Sequence, residues 1–162
     1  MATVHIGIGS NLGDRESHCD RALEEMRRRG IRITRMSSRY ETAPWGEGEQ
    51  PMFINMAVEA ETDLPPEGLL AVLKQIEREM GRQDTFRWGP RVIDLDILFY
   101  DDALFEGAGL RIPHPLLHVR DFVLLPLDEI APEKMHPALG KTVGQLKEER
   151  ESGEDAEREE QI

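Results

Sequence analysis

The sequence is poor in cysteine, in aromatic side chains, in basic charge and in long apolar runs. Its single cysteine, Cys19, forbids an internal disulfide and suits a reducing compartment. No stretch approaches the roughly 18 apolar residues that a spanning helix needs, so no membrane association is expected. The opening residues, Met1-Ala2-Thr3-Val4-His5-Ile6, show no basic region ahead of an apolar one, and a cytoplasmic protein is expected. Lys and Arg number 20 against 32 Asp and Glu, a net charge of −12. A nucleic-acid binder needs a basic footprint, and this balance argues against one. A small anion could still be met by a local cluster of cations.

What is present is enough for one core. At 162 residues and 39% hydrophobic content the chain suits a single domain, burying about two-thirds of its unfolded surface. The acidic charge is uneven. From Lys147 onward eight acids face three bases, a net of −5, with almost no apolar residues. The expected organisation is therefore one domain over residues 1–146, followed by an acidic tail at 147–162 that frays in solvent. With no apolar stripe left over once the core is assigned, a monomer is expected.

The order of elements follows from periodicity and breakers. Val4 to Gly9 reads as a strand, and the glycines of Gly7-Ile8-Gly9-Ser10-Asn11-Leu12-Gly13 read as tight-turn residues, since the spacing fits neither a dinucleotide fingerprint nor a P-loop. A helix is predicted from Asp14 to about Arg29, with Cys19, Ala22, Leu23 and Met26 inward and Gly30 as its stop. A second strand is predicted from Ile31 through Tyr40, and residues 43–51 are a loop. A third strand then places Phe53, Asn55, Ala57 and Glu59 on one face and Ile54, Met56, Val58 and Ala60 on the other. Pro65-Pro66 opens a helix carrying Leu69, Leu73, Ile76 and Met80, which ends at Gly81. A polar loop leads to a strand over Val92–Phe99, a short strand near Leu110–Ile112, helical pieces over Phe122–Ile130 and a last helix near Thr142. The order β-α-β-β-α-β is the ferredoxin-like unit, an α+β sandwich of an antiparallel sheet with helices on one face.

Two features stand out chemically. Asp94 and Asp96 alternate with apolar residues in a strand, so both carboxylates leave the same face, roughly 7 Å apart. Like charges so placed repel, and a shared divalent cation would relieve them; Mg²⁺, which also holds substrate phosphates, suits two hard oxygen ligands. The plainer alternative is an exposed face that the acids merely solubilise. Just before them, Arg82, Arg87 and Arg91 crowd a loop broken by Gly89-Pro90. Guanidinium groups grip phosphate bidentately, although these three could instead pair with Glu79, Asp84 or the aspartates. Phe53 and Asn55 on one strand face could serve a heterocycle or simply pack. His114, held between Pro113 and Pro115, could reach a phosphate or merely complete a turn. Cys19 is expected in the core.

Several stretches together resemble one family. Gly9-Ser10-Asn11-Leu12-Gly13, Thr42-Ala43-Pro44, Phe53-Ile54-Asn55, Glu77 with Gly81-Arg82, Arg87-Trp88-Gly89-Pro90-Arg91-Val92-Ile93-Asp94-Leu95-Asp96-Ile97, and Ile112-Pro113-His114-Pro115 with Arg120 and Phe122 are similar to 6-hydroxymethyl-7,8-dihydropterin pyrophosphokinases, over nearly all of residues 2–135. The resemblance implies a folate-pathway transferase that moves pyrophosphate from ATP to the pterin hydroxymethyl oxygen and releases AMP. It implies that Asp94 and Asp96 bind two Mg²⁺ ions and that Arg82 and Arg91 are catalytic. It puts Thr42, Pro44, Trp45, Phe53, Asn55 and Phe122 around the pterin. On the ATP side it puts Glu77, Arg82, Arg87, Trp88, Arg91, Ile97, His114 and Arg120. Some positions depart from the family pattern: Gln83-Asp84-Thr85 follows Arg82 where further basic residues are common, Gly109 stands where an arginine is common, and Lys74 replaces a frequent glutamine. A metal-binding module with no turnover would leave the arginine loop without a use, and an ordinary kinase would release ADP in place of AMP.

Overall fold

The structure, a computed structural model, describes residues 1–42, 52–81, 92–107 and 109–161, the last nine as backbone alone. Among the described residues nine strands and four α-helices run in the order β1 (Ala2–Ser10), α1 (Arg15–Arg28), β2 (Arg32–Met36), β3 (Tyr40–Thr42), β4 (Phe53–Thr62), α2 (Pro66–Glu79), β5 (Asp94–Tyr100), β6 (Phe105–Gly107), β7 (Leu110–Ile112), α3 (Asp121–Ile130), β8 (Met135–His136), β9 (Lys141–Thr142) and α4 (Val143–Gln161). The main sheet is ordered β2-β4-β1-β5, antiparallel throughout, with β3 paired to β4 beyond β2. This is the ferredoxin-like arrangement expected from the element order.

Local chemistry sets the helix limits. Asp14 caps α1: one carboxylate oxygen accepts the Ser17 N–H at 3.1 Å and the other the Ser17 hydroxyl at 2.9 Å, which holds the Asp14 pKa below its ordinary value. The helix stops at Gly30, whose φ of +84° is left-handed. Pro66 supplies the first turn of α2, where its missing N–H costs nothing.

The first face of the sheet carries the larger core. Val4, Ile6 and Ile8 from β1, Met56, Val58 and Ala60 from β4, and Leu95 and Ile97 from β5 meet Cys19, Leu23 and Met26 of α1 and Leu69, Leu73 and Ile76 of α2. Burial pushes the Cys19 thiol up to about 11, so it behaves as a small apolar filler.

The second face is covered too, which the helices-on-one-face expectation did not include. Ala57, Leu98 and Phe99 pack against Val123, Leu124, Leu127 and Ile130 of α3 and Val143 and Leu146 of α4. A register shift in β5 allows this. Ile6 faces Ile97 and His5 faces Phe99, so Leu98 is the extra residue of a bulge, and Leu98 and Phe99 both serve the second core. The predicted single strand over 31–40 is likewise divided. Ser37 turns between β2 and β3, its N–H donating to the Ala57 carbonyl and its hydroxyl oxygen accepting the Ala57 N–H, each at 2.9 Å. The short strand expected near Leu110–Ile112 is β7, whereas β6, β8 and β9 were not visible in the periodicity because each has three residues or fewer. α4 crosses the expected boundary at 146, and Arg150 Nε lies 3.3 Å from Asp121 on α3.

Under the second core lies His5, 2% exposed, its Nε2–H donating to Glu59 at 3.1 Å and its ring edge-on to Phe99 at 5.8 Å. Burial, outweighing the carboxylate, holds the His5 pKa below its usual value, and burial does the same for His136 on the far side of Phe99. The folded state therefore keeps both imidazoles neutral while the unfolded chain takes up protons below about pH 6.5. Stability is present in full above that pH and declines as pH falls towards the folded values, by no more than about 1.4 kcal/mol per pH unit for each histidine. Thermal unfolding followed from pH 7.5 to 5.5 should show this slope, and His5→Gln should flatten it. An unaltered slope in that variant would rule out His5 as a source.

Candidate active site

Among the described residues, one end of the second face lies outside the core formed with α3 and α4, and the ladder register says what stands there. Asp94 pairs across β1 with Gly9, and Gly9 pairs on its other side with Asn55 of β4. One step along, Asp96 pairs with Gly7, and Gly7 with Ala57. Two carboxylates on the edge strand thus look across glycines toward an amide, at two strand spacings or roughly 10 Å. This corrects the reading of Gly7 and Gly9 as turn residues. Both lie inside β1, neither has a positive φ, and of that stretch Gly13 alone takes the left-handed conformation, at +69°. What distinguishes them is the side chain they lack: it keeps the floor between β4 and β5 flat.

On the β4 side, Asn55 is 8% exposed and its Nδ2 donates to the Thr42 hydroxyl of β3 at 2.6 Å. In this orientation Oδ1 stands over Gly9. Phe53, opposite Thr42 in the ladder, is half-buried. Phe122, in the first turn of α3, packs at the margin of the second core with the Arg120 guanidinium 5.4 Å from its ring centre. α3 is tied across the sheet by Glu129, which accepts the Ser38 N–H at 3.0 Å and bonds the Tyr40 hydroxyl.

On the β5 side, Asp96 is exposed and Asp94 half-buried. Arg120 and His114 converge on them. Desolvation holds the Arg120 pKa below its usual value, opposed by the charges of Asp96 and Asp94. Desolvation likewise lowers His114, with Asp96 pulling the other way and Arg120 adding to the depression. The His114 N–H donates to the Leu98 carbonyl at 3.1 Å, and its Nδ1 accepts the Leu116 N–H at 3.2 Å, so the imidazole is fixed beside β5.

Two residues assigned to the ATP side sit deeper than a surface contact. Ile97 is 3% exposed within the first core. Glu77 is 2% exposed, and its Oε2 accepts the Leu95 N–H at 2.8 Å. Pro44, Trp45, Arg82, Asp84, Arg87, Trp88 and Arg91 lie outside the described residues. Gly109 adopts φ +77° in the β6–β7 turn, a conformation that an arginine would enter with strain, while Arg111 is exposed beside Glu106 at 3.9 Å. The departure at 109 thus goes with a turn built for glycine.

The donor set suits a hard cation. Two carboxylates share a face above glycines, and among the described residues no group of three or more His, Cys, Asp or Glu could hold a metal ion. Two protein oxygens with the remaining ligands from water and phosphate is how Mg²⁺ is commonly held. Among the same residues no helix is long and apolar enough to cross a membrane.

Known proteins resemble this chain. The family model for 7,8-dihydro-6-hydroxymethylpterin-pyrophosphokinase matches residues 5–132. A 2-amino-4-hydroxy-6-hydroxymethyldihydropteridine pyrophosphokinase of Aquifex aeolicus is 43% identical over 149 residues, 92% of each chain. One of Bacillus subtilis is 45% identical over 128 residues, 78% of this chain and 77% of that one. A mitochondrial folate synthesis bifunctional protein of Pisum sativum is 50% identical over 127 residues, 78% of this chain and 25% of its own length. Among solved structures, the wild-type HPPK-DHPS of Plasmodium falciparum superposes with a TM-score of 0.73 at 17% identity, covering 91% of this chain and 44% of that one, which speaks for the fold. The chain belongs to the 7,8-dihydro-6-hydroxymethylpterin-pyrophosphokinase family.

Proposed function

We propose that ATP and the pterin meet across the Asp94–Gly9–Asn55 row, with the triphosphate at β5 and the heterocycle at β4. The enzyme is an ATP-dependent pyrophosphokinase of folate synthesis: it transfers pyrophosphate from ATP to the hydroxymethyl group of 6-hydroxymethyl-7,8-dihydropterin, giving AMP and the pterin diphosphate. The row supports the placement because its length of roughly 10 Å separates a cation-holding pair from a hydrogen-bonding amide by about the reach of a small ring plus a phosphate.

In this reading Asp94 and Asp96 hold Mg²⁺, two ions being expected from the family resemblance. Bound with ATP, Mg²⁺ would draw charge from the phosphate oxygens and soften repulsion toward an incoming nucleophile. The pterin lies between Phe53 and Phe122, with Asn55, Thr42, Pro44 and Trp45 reading its edge. Arg120 and His114 face the phosphates from the β5 side, joined by Arg82, Arg87, Trp88 and Arg91, of which Arg82 and Arg91 meet the transferring group. Ile97 supports the base from the core. In the transfer the hydroxymethyl oxygen bonds to the β-phosphorus, the bond from that phosphorus to the α–β bridging oxygen breaks, the alcohol proton passes to solvent, and AMP departs with the bridging oxygen. Positioning and fixed charge carry such a step, and a row of pre-aligned residues on a rigid sheet supplies both. A single domain acting as a monomer in the cytoplasm accords with the buried lone thiol of Cys19 and with the helices that cover both sheet faces.

Incubation with ATP, Mg²⁺ and the pterin, with the nucleotides resolved, tests this reading. AMP should appear only when pterin and Mg²⁺ are both present. ADP in its place would overturn pyrophosphoryl transfer, and turnover unaffected by chelation would overturn the metal assignment.

A further inference from the structure

Glu77 is an acid in a place that disfavours one. It lies in the last turn of α2, where the helix dipole opposes negative charge, and it points into a core-facing environment with 2% exposure. Its neighbours Leu73 and Ile76 are fully buried. Helix propensity and packing would both be served by an apolar residue, so the carboxylate needs another explanation.

The neighbouring strand supplies it. Among the described residues β5 is the edge of the sheet, with β1 on one side and no strand on the other. Alternate N–H groups of an edge strand point away from the ladder and need a partner when buried. Leu95 is such a residue, 1% exposed, and its N–H donates to Glu77 Oε2 at 2.8 Å. The other oxygen, Oε1, lies 3.4 Å from Lys74 Nζ one turn back on α2, which offsets the buried charge. Leu95 is the residue between Asp94 and Asp96. The Glu77 carboxylate therefore does, at the Leu95 amide between the two acids, what a further strand beside β5 would do.

We propose that Glu77 is a positioning residue: it pins the Leu95 amide so that the Asp94 and Asp96 carboxylates hold a common direction against their mutual repulsion. This rests on the reading of those two acids as cation ligands. It differs from direct contact with ATP, because the atom Glu77 grips is a backbone nitrogen of this chain. Charge-holding ligands commonly need such support, and its loss weakens metal binding by about 10- to 100-fold.

The test compares wild type, E77A and E77Q in two measurements. The first is hydrogen exchange of the Leu95 amide without ligands. The second is Mn²⁺ binding with ATP saturating and pterin absent, so that nothing turns over. E77A should speed Leu95 exchange by about tenfold or more and weaken Mn²⁺ by about 10- to 100-fold. E77Q retains an accepting oxygen without the charge and should restore both to within about threefold of wild type. Where E77A is too unstable to handle, E77L carries the same expectation. An E77Q that behaves like E77A would overturn the proposal in favour of a charge contact. Faster exchange with unaltered Mn²⁺ affinity would overturn it as well, by separating the amide from the aspartates. Failure of the wild type to bind Mn²⁺ would overturn the metal reading beneath it, a result distinguishable because the exchange measurement needs no metal.

Discussion

Asp96→Ala is expected to lower AMP formation by about 10³-fold or more while leaving the protein folded, because the proposed site puts the charge of Asp96 where the transferred phosphates would gather. Its side chain is exposed on the second face and belongs to neither core. Removing it leaves no cavity. It also relieves the repulsion with Asp94 two residues away on the same face. The thermal midpoint should therefore hold or rise as activity collapses, which is the signature of a residue kept for chemistry at some expense to stability. The magnitude follows from the several kcal/mol that a bound cation contributes to charge stabilisation in the transition state, at 1.36 kcal/mol per tenfold in rate. Asp96→Asn keeps the shape and loses the charge, so it should share most of the defect. Steady-state kinetics at saturating Mg²⁺, read beside thermal unfolding, decides the matter. Activity within about tenfold of wild type in both variants would show that Asp96 only solubilises the face.

That alternative was open in the sequence for a physical reason. Period-two alternation shows that Asp94 and Asp96 share a face but not which face, nor what lies across the sheet. The answer depends on β1 lying between β4 and β5, a non-local pairing. Gly7 and Gly9 illustrate the same gap. A glycine inside a strand and a glycine in a turn look alike in one dimension, and only the register with Asn55 and Asp94 shows that their missing side chains matter. The first core was legible because Leu69, Leu73 and Ile76 recur at helical spacing against the odd-even pattern of β4. The second core was not, since it rests on a bulge at Leu98 and on two helices that each follow a short hairpin. Glu77 carried a family resemblance but no periodic signal of its role, because its partner is a main-chain amide 18 residues away.

The flat floor also makes a sharp prediction at Gly9. A Cβ there would stand 2.7 Å from Asn55 Oδ1, 3.6 Å from Phe53 Cδ1 and 3.7 Å from Asn55 Cγ, all atoms of β4 and none of β5. The first distance is too short for any real methyl group, so Asn55 must move. It has little freedom to do so, being 8% exposed and tied through Nδ2 to Thr42. Relief would break that bond and swing the amide toward the space proposed for the pterin. Gly9→Ala should accordingly raise the KM for the pterin by about 10- to 100-fold, which is about 1.4 to 2.8 kcal/mol of lost recognition. The KM for ATP should stay within about threefold, because no atom on the β5 side is crowded. Gly7→Ala is the matched control: the nearest atoms to its Cβ would be those of the Leu98 side chain, at 3.6 to 3.8 Å, an ordinary contact. Both constants should hold within about threefold in that variant. A Gly7→Ala as damaging as Gly9→Ala, or a Gly9→Ala that weakens ATP more than pterin, would mean that the heterocycle does not lie on β4. The contrast between two glycines one pleat apart thus reports whether the heterocycle rests at the β4 end of the Asp94–Gly9–Asn55 row.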